Sequence, residues 1–159
     1  MTISSGFTGD ATLQDGKYKL TRIETISDSY VNENKLGYAN ENPQKKHLLN
    51  KGDILYSNIN SISHIGKVAI FQSDANIYHG INLLRLSTHK EHCPFFIFYQ
   101  LNTTIKKQWA ETHANQAVSQ ASINQTVLSK QTFTLPTLPE QTAIGDFFRK
   151  LDNLIKLHS

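Results

Sequence analysis

The sequence predicts a mixed α/β (α+β) domain over residues 1–136, followed by one long helix over residues 137–159. Three patterns lead to this prediction. Short segments of the first part alternate apolar and polar residues, which is typical of strands. A run that begins at Pro94 has apolar residues every three or four positions, as on one face of a helix. From Leu138 onward, a regular amphipathic helical pattern takes over.

The strand pattern recurs in the first part of the chain. A turn at Lys51-Gly52-Asp53 and polar loops at 58–65 and 120–125 interrupt it. Val68 and Ile70 share one face, and so do Ile81 and Leu83, as the two-residue period of a strand requires. The predicted strands are 17–26, 54–57, 66–71, 80–86 and 131–135.

A helix is predicted over residues 94–112. Pro94 suits the first helical turn, where the missing N–H would have had no partner. We interpret the apolar stripe of this helix as part of the core. The stripe consists of Phe95, Phe98, Leu101, Ile105 and Trp109.

The terminal helix has the strongest local signals. Thr137 and Glu140 have the spacing of a capping box, and Pro139 lies in the first turn. A heptad seam follows, with Phe147 and Leu154 widening its apolar stripe. The seam positions are Ile144, Phe148, Leu151, Ile155 and His158. Such a stripe needs a partner surface, which is either the body of the same domain or another helix.

The bulk composition sets outer limits. A chain of 159 residues can bury a core, and its net charge of +3 permits a nucleic-acid partner without requiring one. The single cysteine, Cys93, excludes an internal disulfide and fits a reducing compartment. No apolar run approaches the roughly 18 residues of a membrane span, and the first residues lack the pattern of a signal peptide. We therefore expect a cytoplasmic protein without membrane partners.

Several motifs occur together in a fixed order. They are Lys51-Gly52-Asp53-Ile54-Leu55-Tyr56-Ser57, His64-Ile65-Gly66-Lys67-Val68-Ala69-Ile70, Gln120-Ala121-Ser122-Ile123-Asn124, Leu135-Pro136-Thr137-Leu138-Pro139-Glu140-Gln141, Ile144-Gly145, Phe147-Phe148, Leu151-Asp152, Ile155 and Leu157-His158. This series resembles the specificity subunits of type I restriction-modification systems. The Pro-x-x-Pro-Glu-Gln segment with its helix is the most specific part of the resemblance.

The resemblance implies a DNA target-recognition domain over residues 1–136, with a twisted, mostly antiparallel sheet and flanking helices. It also implies a coiled-coil-type spacer or dimerisation helix over 137–159. A full specificity subunit is similar to two such units in tandem. The present chain has one unit and is therefore expected to be a fragment, a half-length subunit or a single domain.

The resemblance further implies a non-catalytic subunit that reads one half of a two-part, gapped DNA site. Its partners would be double-stranded DNA, methyltransferase (modification) subunits and, through them, the restriction subunit. Methyl transfer and cleavage would belong to those chains, so no cofactor is expected here. The terminal helix would pair with a second copy of the chain or with a second recognition domain. The residues expected at that helix interface are Ile144, Phe147, Phe148, Leu151 and Ile155.

The polar loops supply candidate DNA contacts. Asparagine and glutamine pair with adenine, lysine with guanine or phosphate, and serine with any base edge. The same residue types also populate turns because they satisfy nearby backbone groups, and Asn124 suits the cap of a short helix. The candidate residues are Lys35, Asn58, Asn60, Ser61, His64, Lys67, Gln120, Ser122 and Asn124.

The length of the helix suggests a ruler. A helix of about 21 residues spans about 31 Å, close to the roughly 34 Å of one duplex turn that separates half-sites. A helical spacer between two readers is therefore expected to set the gap between half-sites.

Enzymatic alternatives have weaker support. His89, His92 and Cys93 lie close in sequence, but a zinc site would need a fourth ligand, so we interpret them as a solvated loop and expect no metal. The sequence has no phosphate-binding glycine loop and no tight carboxylate pair. Two other classes stay open: a protein-interaction module that binds no DNA, and a small hydrolase with an unrecognised site.

Overall fold

The computed structural model of the protein describes residues 1–10, 13–26 and 29–158. Its strands are β1 (Thr2–Ser5), β2 (Tyr18–Leu20), β3 (Gly37–Ala39), β4 (Ile54–Ser57), β5 (Ile59–Asn60), β6 (Val68–Ile70), β7 (Ile77–Tyr78), β8 (Leu83–Ser87), β9 (Asn115–Gln116) and β10 (Ala121–Ser122). Its α-helices are α1 (Pro94–Leu101), α2 (Thr104–His113), α3 (Gln125–Leu128) and α4 (Leu138–Leu157). Short 3-10 helices occupy Ile23–Ile26, Glu33–Lys35 and Lys45–His47.

A four-stranded antiparallel sheet in the order β1-β8-β4-β6 forms the centre of the fold. Both faces of this sheet are covered. On β4, Ile54 and Tyr56 point into one hydrophobic cluster and Leu55 points into another. This explains why all four residues of β4 are buried although strand side chains alternate in direction.

The larger cluster lies between this sheet and the helices. Helix α1 inserts Phe96, Phe98 and Leu101 into it, and α2 and α3 add Ala110 and Leu128. The smaller cluster covers the opposite face and includes Leu36, Leu49 and Phe71. A second sheet, in the order β3-β2-β7, flanks this side, with β2 antiparallel to β3 and parallel to β7. The predicted mixed, mostly antiparallel α/β architecture is therefore confirmed.

The predicted strand 17–26 is too long. The strand ends at Leu20, and residues Ile23–Ile26 form a 3-10 turn instead. The buried hydroxyl of Thr25 explains the turn, because it accepts a hydrogen bond from Arg22 N at 2.7 Å and donates one to Lys35 O at 3.0 Å. A local side-chain contact thus competes with continued strand pairing.

The predicted helix 94–112 is two helices. The helix is interrupted at Asn102 and Thr103, where the Thr103 hydroxyl donates to Gln100 O at 2.7 Å. The break changes the direction of the second helix. As a result Ile105, which the continuous stripe assigned to the core, is 76% exposed.

The predicted strand 131–135 does not form. Side chains of the helices take its backbone carbonyls: Gln100 Nε2 donates to Thr134 O at 2.7 Å, and Lys106 Nζ donates to Thr132 O. Lys106 also lies over the ring of Phe133, at 4.4 Å from its centroid. The segment therefore runs extended over α1 and α2 without a strand partner.

Helix α4 begins with the predicted capping box. The Glu140 carboxylate accepts from Thr137 N at 2.9 Å and from the Thr137 hydroxyl at 2.6 Å. These two hydrogen bonds lower the pKa of Glu140. Within the ranges that the structure describes, no helix combines the length and apolarity needed to cross a bilayer. Ser159, the last residue of the predicted 137–159 segment, lies outside those ranges.

Candidate nucleic-acid interface

The two polar loops singled out in the sequence meet in a small antiparallel sheet of order β5-β10-β9. Ser122 pairs with Ile59 on one side and with Asn115 on the other. Ala121 pairs with Asn60 and Gln116 in the same way, and its own side chain is buried. Cross-strand partners share a face, so Ile59, Ser122 and Asn115 form one row on the outer face.

Strands β9 and β10 form a hairpin that reaches into solvent. Its turn is closed by a hydrogen bond from Ala117 N to Gln120 O at 2.8 Å. All residues from 115 to 120 are exposed, and Val118 at the tip is 110% exposed, more than in an extended reference chain. A two-stranded ribbon with amide and hydroxyl side chains at its tip can enter a DNA major groove.

A turn over residues 61–66 lies beside the small sheet. The hydroxyls of Ser61 and Ser63 lie 2.8 Å and 3.1 Å from His64 Nδ1 on its exposed surface. Gly66, with φ of +77°, closes the turn against α2, where an added Cβ would lie 2.6 Å from the Cβ of Ala110. The turn and the C-terminal half of α2 therefore occupy a fixed position next to the hairpin.

The segments that build this region contain no carboxylates. No aspartate or glutamate occurs between Asp53 and Asp74, or between Glu111 and Glu140. The same segments contain Lys67 and Lys130 and the histidines His64 and His113. We name the small sheet, its hairpin and the 61–66 turn the polar face. No carboxylate within these segments repels phosphates, which favours a polyanion, and the neighbouring half of α2 carries one, the exposed Glu111.

Three of the predicted DNA contacts are engaged in holding the fold. Asn58 Nδ2 donates to Ile123 O at 3.2 Å, which joins the two loops. Asn60 donates to the Ser57 hydroxyl at 3.1 Å and accepts from Ser61 N at 2.8 Å. Asn124 caps α3 by accepting from Val127 N at 2.9 Å. Each of these side chains therefore makes at least one intramolecular hydrogen bond that supports the fold.

The remaining predictions divide between two places. Ser61, His64 and Gln120 are exposed on the polar face, and Ser122 and Lys67 are half-buried there. Lys35 lies elsewhere, in the 3-10 helix that packs on Ile23–Ile26, where its carbonyl accepts from Thr25. The structure thus brings together the residues from 58 to 67 and from 120 to 124 and leaves Lys35 apart.

Sequence reasoning missed four exposed residues of the hairpin, namely Asn115, Gln116, Val118 and Ser119. The hairpin turn over residues 117–120 contains no glycine, proline, asparagine or aspartate, and Ser119 is its one residue of a type common in turns. The uncharged, largely polar composition of residues 115–122 was the other available sign.

Helix α4 packs on α1 through a polar and small-residue side. Gln141 and Gly145 are buried against residues 93–96, and the ring of Phe148 lies 5.3 Å from that of Tyr99, centroid to centroid. Farther along, the Asp152 carboxylate accepts from the Tyr99 hydroxyl at 2.7 Å. The helix therefore lies on its own domain through this side and through Phe148 at the edge of its apolar stripe.

The apolar stripe of α4 stays open to solvent. Phe147, Leu154 and Ile155 are 58%, 53% and 65% exposed, and Ile144 and Leu151 are about two-fifths exposed. Positions 144, 147, 151 and 154 form one line along this open side, beside Phe148, which leans toward Tyr99. These positions keep the alternating three- and four-residue spacing of a helix-pairing seam.

The histidine-rich loop has structural contacts. The His89 ring lies 3.2 Å from the N-terminal nitrogen of Met1 and 3.1 Å from the Thr2 hydroxyl, so it ties the first strand to the end of β8. In the part of the chain that the structure describes, no three histidine, cysteine, aspartate or glutamate side chains are grouped as metal ligands would be.

Comparisons with known proteins agree on one family. The family model described as type I restriction modification DNA specificity domain matches residues 4–159. A relative from Methanocaldococcus jannaschii, named as a specificity subunit of the type I restriction enzyme MjaX, is 42% identical over 158 residues. That match covers 96% of this chain and 37% of the relative, so the chain spans just over a third of the relative's length.

Two solved structures share the fold. One is a chain from a structure of complex assembly and conformational transition of the type I R-M system, with a TM-score of 0.67, 14% identity and coverage of 98% of this chain and 36% of the other. The other is the S subunit of a type I restriction-modification system from M. genitalium, with a TM-score of 0.60, 21% identity and coverage of 98% and 38%. A specificity domain is a recognition module and not a catalytic one, in agreement with the expectation of a non-enzyme. The chain belongs to the family of type I restriction modification DNA specificity domains.

Proposed function

We propose that this chain reads one half of a bipartite DNA site through its polar face and presents the open stripe of α4 to a second helix. The modification subunits that carry out methyl transfer would dock on the assembled unit, and the restriction subunit would join through them. This assignment divides the molecule into a recognition domain over residues 1–136 and a spacer helix over residues 137–159.

One observation carries the DNA-reading part of the proposal. Two segments distant in sequence, 58–67 and 115–124, meet in one small sheet, and neither segment contains a carboxylate. Hydroxyl and amide groups on such a surface can donate to and accept from base edges in the major groove. The half-buried Lys67 is the nearest candidate for a phosphate contact, which positions the protein without specifying sequence.

The hairpin is the best candidate for direct base reading. A two-stranded ribbon fits the major groove, which is about 12 Å wide. Gln120 and Ser119 offer hydrogen-bonding groups, and Val118 offers a methyl surface for the 5-methyl group of thymine. The engaged residues Asn58, Asn60 and Asn124 would support this hairpin and the neighbouring turn instead of contacting bases.

The decisive experiment maps the methylated DNA motif produced by the complete specificity protein with its own modification subunits. We expect Gln120→Ala and Ser119→Ala to relax one or two base positions in a single half-site, at about 1–3 kcal/mol per lost base contact. Asn76→Ala, an exposed amide outside the polar face, is the matched control and should leave the motif unchanged. An unchanged motif in both hairpin variants would exclude this surface as the reader.

Binding measurements add an independent check of phosphate contacts. Affinity for duplex DNA should fall as salt rises, with a slope of about −0.9 for each neutralised phosphate. Lys67→Ala is expected to reduce that slope by about one and to weaken all sequences alike. A protein-interaction module without DNA binding would show no salt-dependent duplex affinity in the assembled complex.

The helix part of the proposal has its own test. Replacing Phe147 or Leu154 with aspartate places a charge on the stripe that a partner helix would cover, so pairing should be lost while the domain stays folded. Lys150→Asp on the same helix, an exposed residue outside the stripe, is the control. Light scattering of the complete protein measures the mass of the assembly. A lower mass in the stripe variants but not in the control indicates a pairing surface, and an unchanged mass in all variants indicates a stripe without a partner.

The expectation that the spacer helix sets the gap between half-sites can be tested by lengthening the helix. Seven residues inserted after Asn153 would lengthen the helix by about 10 Å and keep its heptad phase, which corresponds to about three base pairs. We expect the methylated motif to keep both half-sites and to gain about three base pairs between them. A gap that stays at its original length would contradict the hypothesis that helix length sets the distance between the half-sites.

A further inference from the structure

Helix α4 is attached to the recognition domain at two places that lie on one line along the helix. Gln141 and Asp152 are 11 residues apart, which is about 16 Å along the axis. At about 100° per residue, their side chains point within about 20° of each other. Two attachment points that far apart fix both the tilt of the helix and its rotation about its own axis.

The first attachment uses an amide and a close backbone approach. Gln141, only 2% exposed, accepts from Cys93 N at 3.1 Å and donates to Pro136 O at 2.9 Å. One turn later Gly145 packs so closely on α1 that a Cβ would lie 3.0 Å from Phe95 Cβ. This end of α4 is therefore held at the start of α1.

The second attachment joins three separate segments at one carboxylate oxygen. Asp152 Oδ2 accepts from the Tyr99 hydroxyl at 2.7 Å and from the Tyr30 hydroxyl at 3.4 Å. Tyr99 belongs to α1, whereas Tyr30 belongs to the segment that pairs with Ile70 of β6. Lys156 lies over the Tyr30 ring at 3.5 Å from its centroid. Burial and the bonded carboxylate raise the pKa of both phenols, so both stay protonated donors.

We infer that Asp152, Tyr99 and Tyr30 are positioning residues that fix the rotation of α4 and thereby the angle between its open apolar stripe and the polar face. The inference rests on the proposed function, since it concerns the geometry of a two-part reader. The apolar residues of the stripe occupy an arc of about 120° that begins beside the attachment line. Rotation of α4 would therefore turn the partner unit relative to the DNA-reading surface.

The size of the effect shows why rotation matters. A domain of this size has an expected radius of about 15 Å. A point at that distance from the helix axis moves about 5 Å when the helix rotates by 20°. A helix that lies along the duplex turns the reader around the duplex axis. One duplex turn takes roughly 10–10.5 base pairs, or about 35° for each base pair, so a rotation of 20° offsets the reader from its half-site by about half a base pair in phase. The directional hydrogen bonds to Asp152 oppose this rotation, and a changed gap would compensate for it.

The test measures gap length instead of base identity. The complete specificity protein with its modification subunits methylates a library in which the half-sites are fixed and the gap varies by one base pair in either direction. For Asp152→Ala we expect the preference for the native gap to fall at least threefold, with unchanged bases in each half-site. Asp152→Asn keeps a carbonyl acceptor for one phenol and should show a smaller change.

A matched control separates this role from stability. Asp146→Asn removes a carboxylate whose ion pair, to Arg149 at 3.1 Å, stays within the helix, and it should leave the gap preference unchanged. If Asp152→Ala does not fold, Tyr99→Phe removes one donor and keeps the ring contacts, and it must broaden the gap preference as well.

Two results overturn different claims. A folded Asp152→Ala or Tyr99→Phe variant with the native gap preference overturns the positioning role, even if its melting temperature falls. If the unaltered protein methylates no bipartite site at all, the proposed function itself fails.

Discussion

The carboxylate of Asp53 and the hydroxyl of Ser87 lie 2.6 Å apart, where β4 begins and β8 ends. The second carboxylate oxygen accepts from Asn50 N at 2.9 Å, and Arg85 lies 3.9 Å away. Asp53 is 4% exposed, so these partners replace its hydration. The glycine-aspartate turn of the sequence is therefore a structural joint: Gly52, at φ of +92°, turns the chain, and Asp53 joins β4 to β8.

Replacement of Asp53 by alanine should destabilise the protein by about 3 kcal/mol, because it leaves Asn50 N and the Ser87 hydroxyl without their buried acceptor and removes the negative charge that faces the Arg85 guanidinium. Urea denaturation measures the change in free energy of unfolding. Asp74→Ala is the control, since Asp74 pairs with Lys51 while its side chain is 91% exposed, and a loss within about 0.5 kcal/mol is expected. Equal losses in the free energy of unfolding for the two variants would contradict a structural role of Asp53 between β4 and β8.

Gly145 is predicted to tolerate no branched side chain. A Cβ there would lie 3.1 Å from Phe96 N and 3.2 Å from Cys93 Sγ, both held by α1. Gly145→Val should therefore cost about 1–3 kcal/mol through overpacking, or detach α4 from the domain. Ala143→Val, on an exposed position of the same helix, should cost only the difference in helix propensity, about 0.5 kcal/mol. Thermal unfolding of the two variants gives the comparison.

Asn124 is expected to act through structure and not through base contact. Its side chain caps α3, so Asn124→Ala should cost about 1 kcal/mol, whereas Asn124→Asp should keep the cap. The measurements are urea denaturation and the methylated DNA motif of the assembled complex. A changed motif in a fully stable Asn124→Asp variant would show that the amide reads a base after all.

Sequence reasoning succeeded where a signal was local and repeated. The capping box at Thr137 and Glu140 predicted the start of α4, and the strand predicted over 54–57, directly after the Lys51-Gly52-Asp53 turn, is β4 with the same bounds. It failed where long-range contacts decide the structure. Nothing local indicates that Gln100 and Lys106 take the carbonyls of the 131–135 segment, or that the 117–120 turn closes a hairpin.

The candidate site shows the same division. Composition pointed to both polar loops, but it could not distinguish side chains that hold the loops, such as Asn58 and Asn60, from those that face solvent, such as Gln120. The open stripe of α4 was predicted, yet the polar side that packs on α1 was not. The Asp152 contacts with Tyr99 and Tyr30 link residues more than 50 positions apart, and no spacing in the sequence indicates them.

Tyr56 offers a substitution that should not destabilise the fold. Its ring fills the larger core cluster, but its hydroxyl is buried without a hydrogen-bond partner among the described residues. Tyr56→Phe removes the unsatisfied group and keeps the ring, so we expect an unchanged or slightly higher free energy of unfolding, by up to about 1 kcal/mol. A loss of more than about 1 kcal/mol in urea denaturation would show that the hydroxyl has a partner such as an ordered water.

Acid sensitivity should come largely from His79. The side chain is fully buried, and its Nε2 donates to Leu83 O at 2.8 Å. Burial, with smaller effects of Arg85 and His47, lowers its pKa to about 4, whereas the unfolded chain has the ordinary value near 6.5. Between these values the unfolded state binds a proton that the folded state does not. Stability is therefore complete above about pH 6.5 and declines as the pH falls toward 4.

The slope of that decline identifies the residue. A difference of one bound proton between the unfolded and folded states changes the free energy of unfolding by about 1.4 kcal/mol per pH unit. The measurement is the free energy of unfolding at a series of pH values from 7 to 4. His79→Gln keeps a donor for Leu83 O and removes the titration, so its slope should be lower by about one proton, whatever its stability at pH 7. His47, whose pKa burial also lowers, adds a smaller slope of the same sign. If His79→Gln retains the full slope, the acid sensitivity arises elsewhere, and the pairing of His79 with Leu83 is only structural.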